Sequence, residues 1–187
     1  MSNERRDPYL NHPYILFYYW KVTSSNPFHL ACMSQWFAKT FVDPNHPNVT
    51  FKTAEHYMMY HKALIFDPEV ADDIVNAPTP EEAKERGRKI RNFDRKKWDE
   101  TSDDVVERGN YLKFGQNEEL LRVILGTRRK TLIEASPTDR IWGIGFGVDD
   151  AKGKEQEWGS NRMGLALTRA RDRLVKEHGQ DFTAQVD

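Results

Sequence analysis

A succession of helix start signals constrains the fold of this chain more than any other feature of its sequence. Each signal is a residue type that caps helix N-termini, followed in most cases by apolar residues at helical spacing. The signals are Thr53, Asp67-Pro68, the capping box Thr79-Pro80-Glu81-Glu82, Ser102, Asn117 and Ser160. They predict a first helix ending at about Phe66, a charged helix ending near Arg91 and a helix after Asn117 that stops at Gly126.

Segments that favour β-structure are few and short. Three are rich in β-branched and aromatic residues and predict strands: residues 14–20, 49–51 and 131–135. Residues 142–147 alternate glycine with Trp, Ile and Phe, which fits a strand or a loop. We expect one predominantly helical α+β domain with a few short strands over residues 14–178. A flexible N-terminal arm over 1–13 and a C-terminal tail over 179–187 would flank it.

Composition excludes several classes of protein. A net charge of −1 with 38% hydrophobic residues describes a folded chain with no global attraction to nucleic acid or anionic lipid. The single cysteine, Cys32, excludes an intrachain disulfide. No apolar run approaches the ~20 residues of a membrane span, and polar residues interrupt the one segment that resembles a signal core. We expect a cytoplasmic protein with no membrane partner.

Glu55 and Lys62 are the first candidate catalytic pair. Seven residues along a helix is about two turns, so both side chains leave the same face about 10 Å apart along the axis. The neighbouring residues are mostly apolar, and partial burial would lower the pKa of Lys62 and make its amine a nucleophile. The helix dipole favours an ionised Glu55 in the first turn. The alternative is a solvated helix face with two unrelated charges.

A metal site is not expected. Glu55-His56 begins like the metal-binding helix of zinc proteases, but the second histidine would have to stand at position 60, which is Tyr60. His61 lies on a different face. We therefore predict neither a metal nor another cofactor.

Residues 136–145 form the segment richest in candidate binding groups. Asp139 lies in a turn after a predicted strand, where a carboxylate is held rigidly and stays reachable. Trp142 can cover a flat ring, and the glycines at 143, 145 and 147 let backbone N–H groups approach an anion. The alternative is an Asx turn before a β-bulge with a tryptophan in the core.

Two basic features have structural alternatives. Residues 159–162 place Arg162 at the start of the final helix, as an anion site would, although a cap with a surface arginine fits equally. The Lys- and Arg-rich run over 84–97 also contains Glu85 and Asp94, which favours a solvated helix face over a nucleic-acid contact.

Several segments together resemble one protein family. In chain order they are Thr53-Ala54-Glu55-His56-Tyr57-Met58 with Lys62-Ala63, Ala83 with Gly87-Arg88, Trp98, Lys113-Phe114-Gly115-Gln116-Asn117, Leu132-Ile133-Glu134 with Asp139, Trp142, Gly143 and Gly145, and Gly159 with Asn161 and Gly164. They resemble the motifs of the NADAR family, the YbiA-like proteins, over about residues 33–175. The family's Ser-Asn-aromatic loop is Ser34-Gln35-Trp36 here, so glutamine stands where the family has asparagine.

The resemblance implies an N-glycosidase that acts either on ADP-ribosylated guanine in nucleic acid or on phosphoribosylated amino-pyrimidines of riboflavin synthesis. It implies that Lys62 attacks C1′ and passes through an imine, and that the ribosyl and base pocket is lined by Glu55, Trp98, Asp139 and Asn161. Our hypothesis is that Glu55 stabilises positive charge at C1′ or activates water, and that Asp139 protonates the departing nitrogen. The residues expected to contact substrate are Ser34, Gln35, Trp36, Tyr57, Trp98, Trp142, Gly143, Gly145, Asn161 and Arg162.

The sequence favours ADP-ribosyl guanine as the substrate. The expected partners are a small ribosyl or ADP-ribosyl molecule, with ADP-ribosylated DNA or RNA as a further candidate. Two rival functions remain: a sensor that binds NAD or ADP-ribose without turnover, and a small metal hydrolase.

Overall fold

The computed structural model describes residues 13–183, with side chains through residue 178. The predicted arm thus lies outside the described residues except for Pro13. The α-helices are α1 Phe28–Ala31, α2 Ala54–Phe66, α3 Ala71–Val75, α4 Pro80–Arg88, α5 Arg95–Gly115, α6 Glu118–Gly126 and α7 Arg162–Thr183. The strands are β1 Tyr14–Phe17, β2 Phe41–Val42, β3 Thr50–Phe51 and β4 Thr131–Glu134. The predicted fold class, helical α+β with a few short strands, is confirmed.

The four strands form two separate pairs. β1 and β4 are parallel and aligned from Tyr14 opposite Thr131 to Phe17 opposite Glu134. β2 and β3 are antiparallel. Because β1 and β4 run in the same direction, the residues that follow both strands emerge at one edge. The strand predicted over 14–20 stops at Phe17, since the chain leaves β4 there and exposes Tyr18 and Tyr19.

Helix α2 lies at the centre of the molecule. Nine of its thirteen residues are buried, and it packs against α3, α4 and α5. Helix α7 packs along α5 and crosses β4. At that crossing a side chain on Gly164 would collide with the carbonyl oxygen of Leu132. Glycine at this position therefore permits the close approach of α7 to the strand.

Some of the predicted helix starts are confirmed and one is wrong. Thr53 and Thr79 cap α2 and α4, with side-chain oxygens that accept from the backbone N–H of His56 and Glu82. The helix start predicted at Ser102 is wrong, because α5 begins seven residues earlier, at Arg95, with Asp94 as its N-cap.

The other helix boundaries differ from prediction by a few residues. Helix α4 ends at Arg88 rather than near Arg91. Asn117 stands at the N-cap position of α6, but its side chain makes no cap bond. Gly126 is the last residue of α6 rather than the stop after it. Helix α7 begins two residues after Ser160 and continues to Thr183, beyond the boundary predicted at 178.

None of the helices in the described part of the chain combines the length and the apolarity needed to cross a bilayer.

Candidate active site

A cavity of about 1000 Å³ opens where β1 and β4 end. Five parts of the chain line it: residues 18–20 after β1, the loop 34–36, the facing sides of α2 and α4, residues 134–142 at and after β4, and Met163 in the first turn of α7. Of the residues predicted from sequence, seven line this cavity: Ser34, Gln35, Trp36, Glu55, Lys62, Asp139 and Trp142. The three predicted catalytic side chains therefore share one cavity.

Glu55 lies on the cavity wall in the first turn of α2, with only 5% of its surface exposed. Burial raises the pKa of its carboxyl, against the opposing effects of Lys84, a hydrogen bond from Trp36, Arg88 and Lys62. The helix dipole predicted a shift toward the ionised form, but loss of solvent outweighs that effect. The pKa of the Glu55 carboxyl therefore reflects a balance between burial, which raises it, and the nearby cations, which lower it.

Lys62 lies two turns further along α2. Its Nζ donates to the carbonyl of Gly87 at 2.8 Å and lies 4.2 Å from the centre of the Phe93 ring. Burial lowers the pKa of the Lys62 amine, which Glu55 opposes and Arg88 reinforces. This is the direction expected from partial burial. Lys62 also lines the cavity.

Glu134 and Asp139 approach the cavity from the end of β4. Burial, with the negative charges of Asp139 and Glu55, raises the pKa of Glu134 to about 8, while Lys84 opposes the shift. Oδ1 of Asp139 accepts from the backbone N–H groups of Ile141 and Trp142 at 2.8 and 2.9 Å. The Asx turn weighed as an alternative is therefore present, and it holds Asp139 at the cavity. A carboxyl with this pKa is mostly protonated at neutral pH.

Two cations on α4 face the same cavity. Lys84 and Arg88 are one turn apart and both line it. Four other charges in and next to this helix pair along its outer surface, Arg86 with Glu82 and Lys89 with Glu85. The solvated face predicted for this run fits those pairs and the exposed Arg88, whereas Lys84 is half-buried. No carboxylate in the described part of the chain lies within ion-pair distance of either.

Aromatic rings form the remaining walls. Trp36 packs edge-on against Trp20 with ring centres 4.7 Å apart, and Lys84 Nζ lies 5.5 Å from its ring centre. Trp142 is held from behind by Arg162, whose guanidinium lies 4.7 Å from the ring centre. Flat surfaces of this kind suit a planar heterocycle.

Tyr57 and Trp98 were predicted to contact substrate and do not line the cavity. Tyr57 is two residues from Glu55, a rotation of about 200° around the helix, so it points into the core. Its hydroxyl donates to Asp43 Oδ2 at 2.7 Å. Trp98 is 7% exposed and packs against Phe66.

Four predicted contacts instead hold the cavity walls in place. A side chain on Gly143 would come within 2.8 Å of the Ser136 Cβ, so this glycine lets the loop fold onto β4. Gly145 has φ +77 and packs against Arg140. These glycines shape the loop, and the predicted anion cradle is absent from the cavity lining described here.

Asn161 and Arg162 act one step behind the cavity. Asn161 bridges the edge of β4: its Oδ1 accepts from Glu134 N–H and its Nδ2 donates to Leu132, both at 2.9 Å. Arg162 donates to Asp103 at 2.8 Å and to Ser102 at 2.7 Å. Both side chains are committed to the protein, and through Glu134 and Trp142 they position groups that reach the cavity.

No cluster of three or more metal-ligating side chains exists in the described part of the chain. His56 uses both ring nitrogens within the fold, with Thr53 Oγ1 at 2.8 Å and the Ala77 carbonyl at 3.0 Å.

The sequence interpretation missed Lys84, Arg88 and Glu134 as members of the site. Their spacing offered one usable signal: Lys84 and Arg88 stand at i and i+4, away from the two Glu-to-cation pairs of α4. Glu134 gave no signal beyond its place in a family motif, because its neighbours Glu55 and Asp139 are brought close only by the fold.

Comparison with known proteins decides the family. A family model described as the NADAR domain matches residues 18–175. The chain belongs to the NADAR family. The matched span contains every side chain that lines the cavity.

Three relatives illustrate its range. N-glycosidase R617 of Acanthamoeba polyphaga mimivirus is 40% identical over 144 residues, covering 74% of this chain and 85% of that protein. The chloroplastic riboflavin biosynthesis protein PYRR of Zea mays is 35% identical over 141 residues, 71% of this chain but 21% of that protein. N-glycosidase YbiA of Escherichia coli is 31% identical over 128 residues, 68% of this chain and 73% of that protein.

The fold is also that of YbiA. The NMR structure of the Escherichia coli protein superposes with a TM-score of 0.69 at 26% identity, covering 89% of this chain and 87% of that chain.

Proposed function

We propose that this protein is an N-glycosidase that hydrolyses the C1′–N bond between a ribosyl group and a base. The observation that carries the proposal is the meeting of Glu55, Lys62 and Glu134 in one cavity with stacking surfaces beside them. Relatives named N-glycosidases support the same reaction class. Breaking this bond leaves positive charge at C1′, which adjacent carboxylates stabilise.

The proton for the departing nitrogen comes from Glu134 in this proposal. The C1′–N electron pair stays with the nitrogen, which must gain a proton to leave as a neutral amine or ring nitrogen. Glu134 holds a proton at neutral pH because its pKa is raised to about 8. We expected this role for Asp139, and we now assign Asp139 to charge stabilisation beside it.

Lys62 supplies the acceptor for C1′. The deprotonated amine bonds to C1′ as the C1′–N bond breaks. The amine lone pair then forms the C=N bond while the ring oxygen takes the C1′–O4′ electron pair and a proton shed by the amine, which gives a protonated imine. Water then adds to the imine carbon and releases the free sugar and the amine. In the competing route, water activated by Glu55 attacks C1′ directly, and the net reaction is the same hydrolysis.

Lys84 and Arg88 favour a phosphorylated ribosyl group. Both line the cavity, and neither has a carboxylate within ion-pair distance among the described residues. Two such cations near one another match the charge and geometry of a phosphate.

We propose ADP-ribose on a guanine base as the substrate. The cavity volume of about 1000 Å³ is at the upper end of ordinary ligand pockets, which suits a diphosphate with two sugars. Tyr18 and Tyr19 add exposed rings on its rim, where bases can stack. The second candidate is a phosphoribosylamino-pyrimidine, which the riboflavin role named for the Zea mays relative favours.

The deciding experiment compares turnover of guanine-ADP-ribosylated DNA with that of the phosphoribosylamino-pyrimidine. We expect faster turnover of the ADP-ribosylated DNA. Borohydride added during turnover should trap a sugar adduct on the wild-type protein and none on Lys62→Ala, with Lys89→Ala as the matched exposed lysine control. Turnover without an adduct would favour direct water attack. Binding of ADP-ribose without release from either substrate would favour a sensor and contradict the proposed reaction.

A further inference from the structure

The loop that carries Gln35 is fixed at several points. Lys113, fully buried, donates from Nζ to the carbonyls of Cys32 and Ser34 at 2.8 Å each. The carbonyl of Gln35 itself accepts from the backbone N–H of Glu55 at 3.1 Å. The loop therefore presents the Gln35 side chain from a defined place beside the first turn of α2.

Hydrogen bonding also fixes which way the Gln35 amide points. Nδ2 of Asn110 donates to the carbonyl of Val106 at 2.8 Å, and a carbonyl oxygen can only accept. The same Nδ2 donates to Gln35 at 3.1 Å, so the Gln35 atom that faces it must be the acceptor, Oε1. Oε1 is thereby occupied, and Nε2 lies on the other side of the amide.

Gln35 Nε2 is a donor with spare capacity. It carries two hydrogens, and its partner is Met58 Sδ at 4.0 Å, a weak acceptor. In the described part of the chain, no oxygen or nitrogen acceptor is bonded to it. Gln35, Met58 and Trp36 all line the cavity. The amide thus offers N–H, and no acceptor, beside the Met58 thioether.

We infer that Gln35 determines which bases the enzyme releases, by donating to a carbonyl oxygen of the base. A base with an amino group at that place would bring two donors face to face and leave both unsatisfied. The proposed function is the premise of this inference. It assigns the substrate class at the base as oxo-substituted heterocycles in preference to amino-substituted ones. Asn110 is the positioning residue that orients the amide.

The test uses two nucleosides that differ in the substituent at C6 and, with it, in whether N1 carries a proton. Calorimetry measures binding of guanosine, which has an oxo group at C6, and of 2,6-diaminopurine riboside, which has an amino group there. We expect the wild-type protein to bind guanosine about tenfold more tightly, the value of one hydrogen bond. In Gln35→Glu, one oxygen still accepts from Asn110 and the other faces the cavity as an acceptor, so the preference should fall to one or reverse.

Asn110→Leu provides a second variant that removes the amide lock from a buried position. The released Gln35 amide can rotate, so the ratio of the two affinities should move toward one, whereas general structural damage would weaken both affinities alike. A wild-type ratio near one, or an unchanged ratio in Gln35→Glu, would overturn the inference. Binding needs no turnover, so a protein that discriminates the nucleosides but cleaves nothing would contradict the proposed function alone.

Discussion

Three carboxyl side chains share the cavity, and burial raises the pKa of two of them, Glu55 and Glu134. Glu55, Glu134 and Asp139 reach it from two elements, and like charges in one site cannot all ionise freely. Burial, together with the negative charges of Asp139 and Glu55, raises the pKa of Glu134 to about 8. Glu134 is therefore a carboxyl that can act as an acid at neutral pH.

Replacing Glu134 with glutamine should remove the acid and keep the shape of the site. We expect Glu134→Gln to lower kcat by about 100-fold or more, the contribution of a positioned proton donor. Wild-type activity should fall as the pH rises through about 8, because the protonated form of Glu134 is lost there. The remaining activity of the variant should lack that alkaline limb.

The pH profile of kcat checks this prediction, with Glu118→Gln on the exposed face of α6 as control. An unchanged alkaline limb in Glu134→Gln would assign the proton to another group.

How far single residues could be predicted depends on where their neighbours come from. Glu55 and Lys62 belong to one helix, so spacing alone placed them on one face, as the structure has them. The charge state of Glu134 depends on Glu55 and Asp139, which are distant or loop-borne, and no local pattern encodes it. Tyr57 lies in the same motif as Glu55 but faces the core, which a family motif does not distinguish.

At the scale of elements, one buried carboxylate joins three segments. Asp43 follows β2 and is fully buried. It accepts from Arg108 of α5 at 2.9 and 2.6 Å and from Tyr57 of α2 at 2.7 Å. The guanidinium of Arg108 holds the pKa of this carboxyl well below its ordinary value, with Asn45 N–H and Tyr57 adding to the effect against burial. This junction keeps α2 in register with α5.

Arg108→Met should therefore destabilise the fold by about 3 kcal/mol, because it leaves Asp43 charged and buried without its main partner. A control, Arg122→Met, breaks an exposed pair with Glu118 and should cost less than about 0.5 kcal/mol. Denaturant unfolding measures both. Equal effects would mean that the buried junction contributes no more than a surface pair.

The difference in unfolding free energy between wild type and Arg108→Met should depend on pH in a defined direction. A lowered folded-state pKa stabilises the protein above the ordinary aspartate value of about 3.8, and this contribution is lost as the pH falls toward the lowered pKa. The gap between wild type and Arg108→Met should therefore be widest near neutrality and narrow below about pH 4.

Element boundaries follow from sequence only where capping chemistry is local. Thr53 and Thr79 hold their caps because the bonded N–H groups lie three residues away. Ser102 also has a hydroxyl side chain that can cap a helix, but it is buried within α5. Its hydroxyl accepts a hydrogen bond from Arg162 of α7. A tertiary contact thus replaced the predicted cap.

At the scale of the whole molecule, the cavity exists only in the assembled fold. Its walls come from residues 18–20 near one end of the described chain, through α2 and α4, to residues 134–142. No single element contains a binding surface. A ligand that fills the cavity therefore stabilises the native state as a whole, because it binds that state and none of the separated segments.

Ligand binding can therefore be measured as an increase in the free energy of unfolding. ADP-ribose at about 100 times its Kd should add about 2.7 kcal/mol. For a chain of this size that corresponds to a rise in Tm of about 5–10 °C. If Lys84 and Arg88 bind the phosphates, the double variant Lys84→Met/Arg88→Met should lose most of the rise at the same ligand concentration. Lys89→Met removes a charge from the outer side of α4 and should keep it. A shift that survives in the double variant would place the phosphates elsewhere in the cavity, and ribose 5-phosphate giving the full shift would favour the smaller substrate.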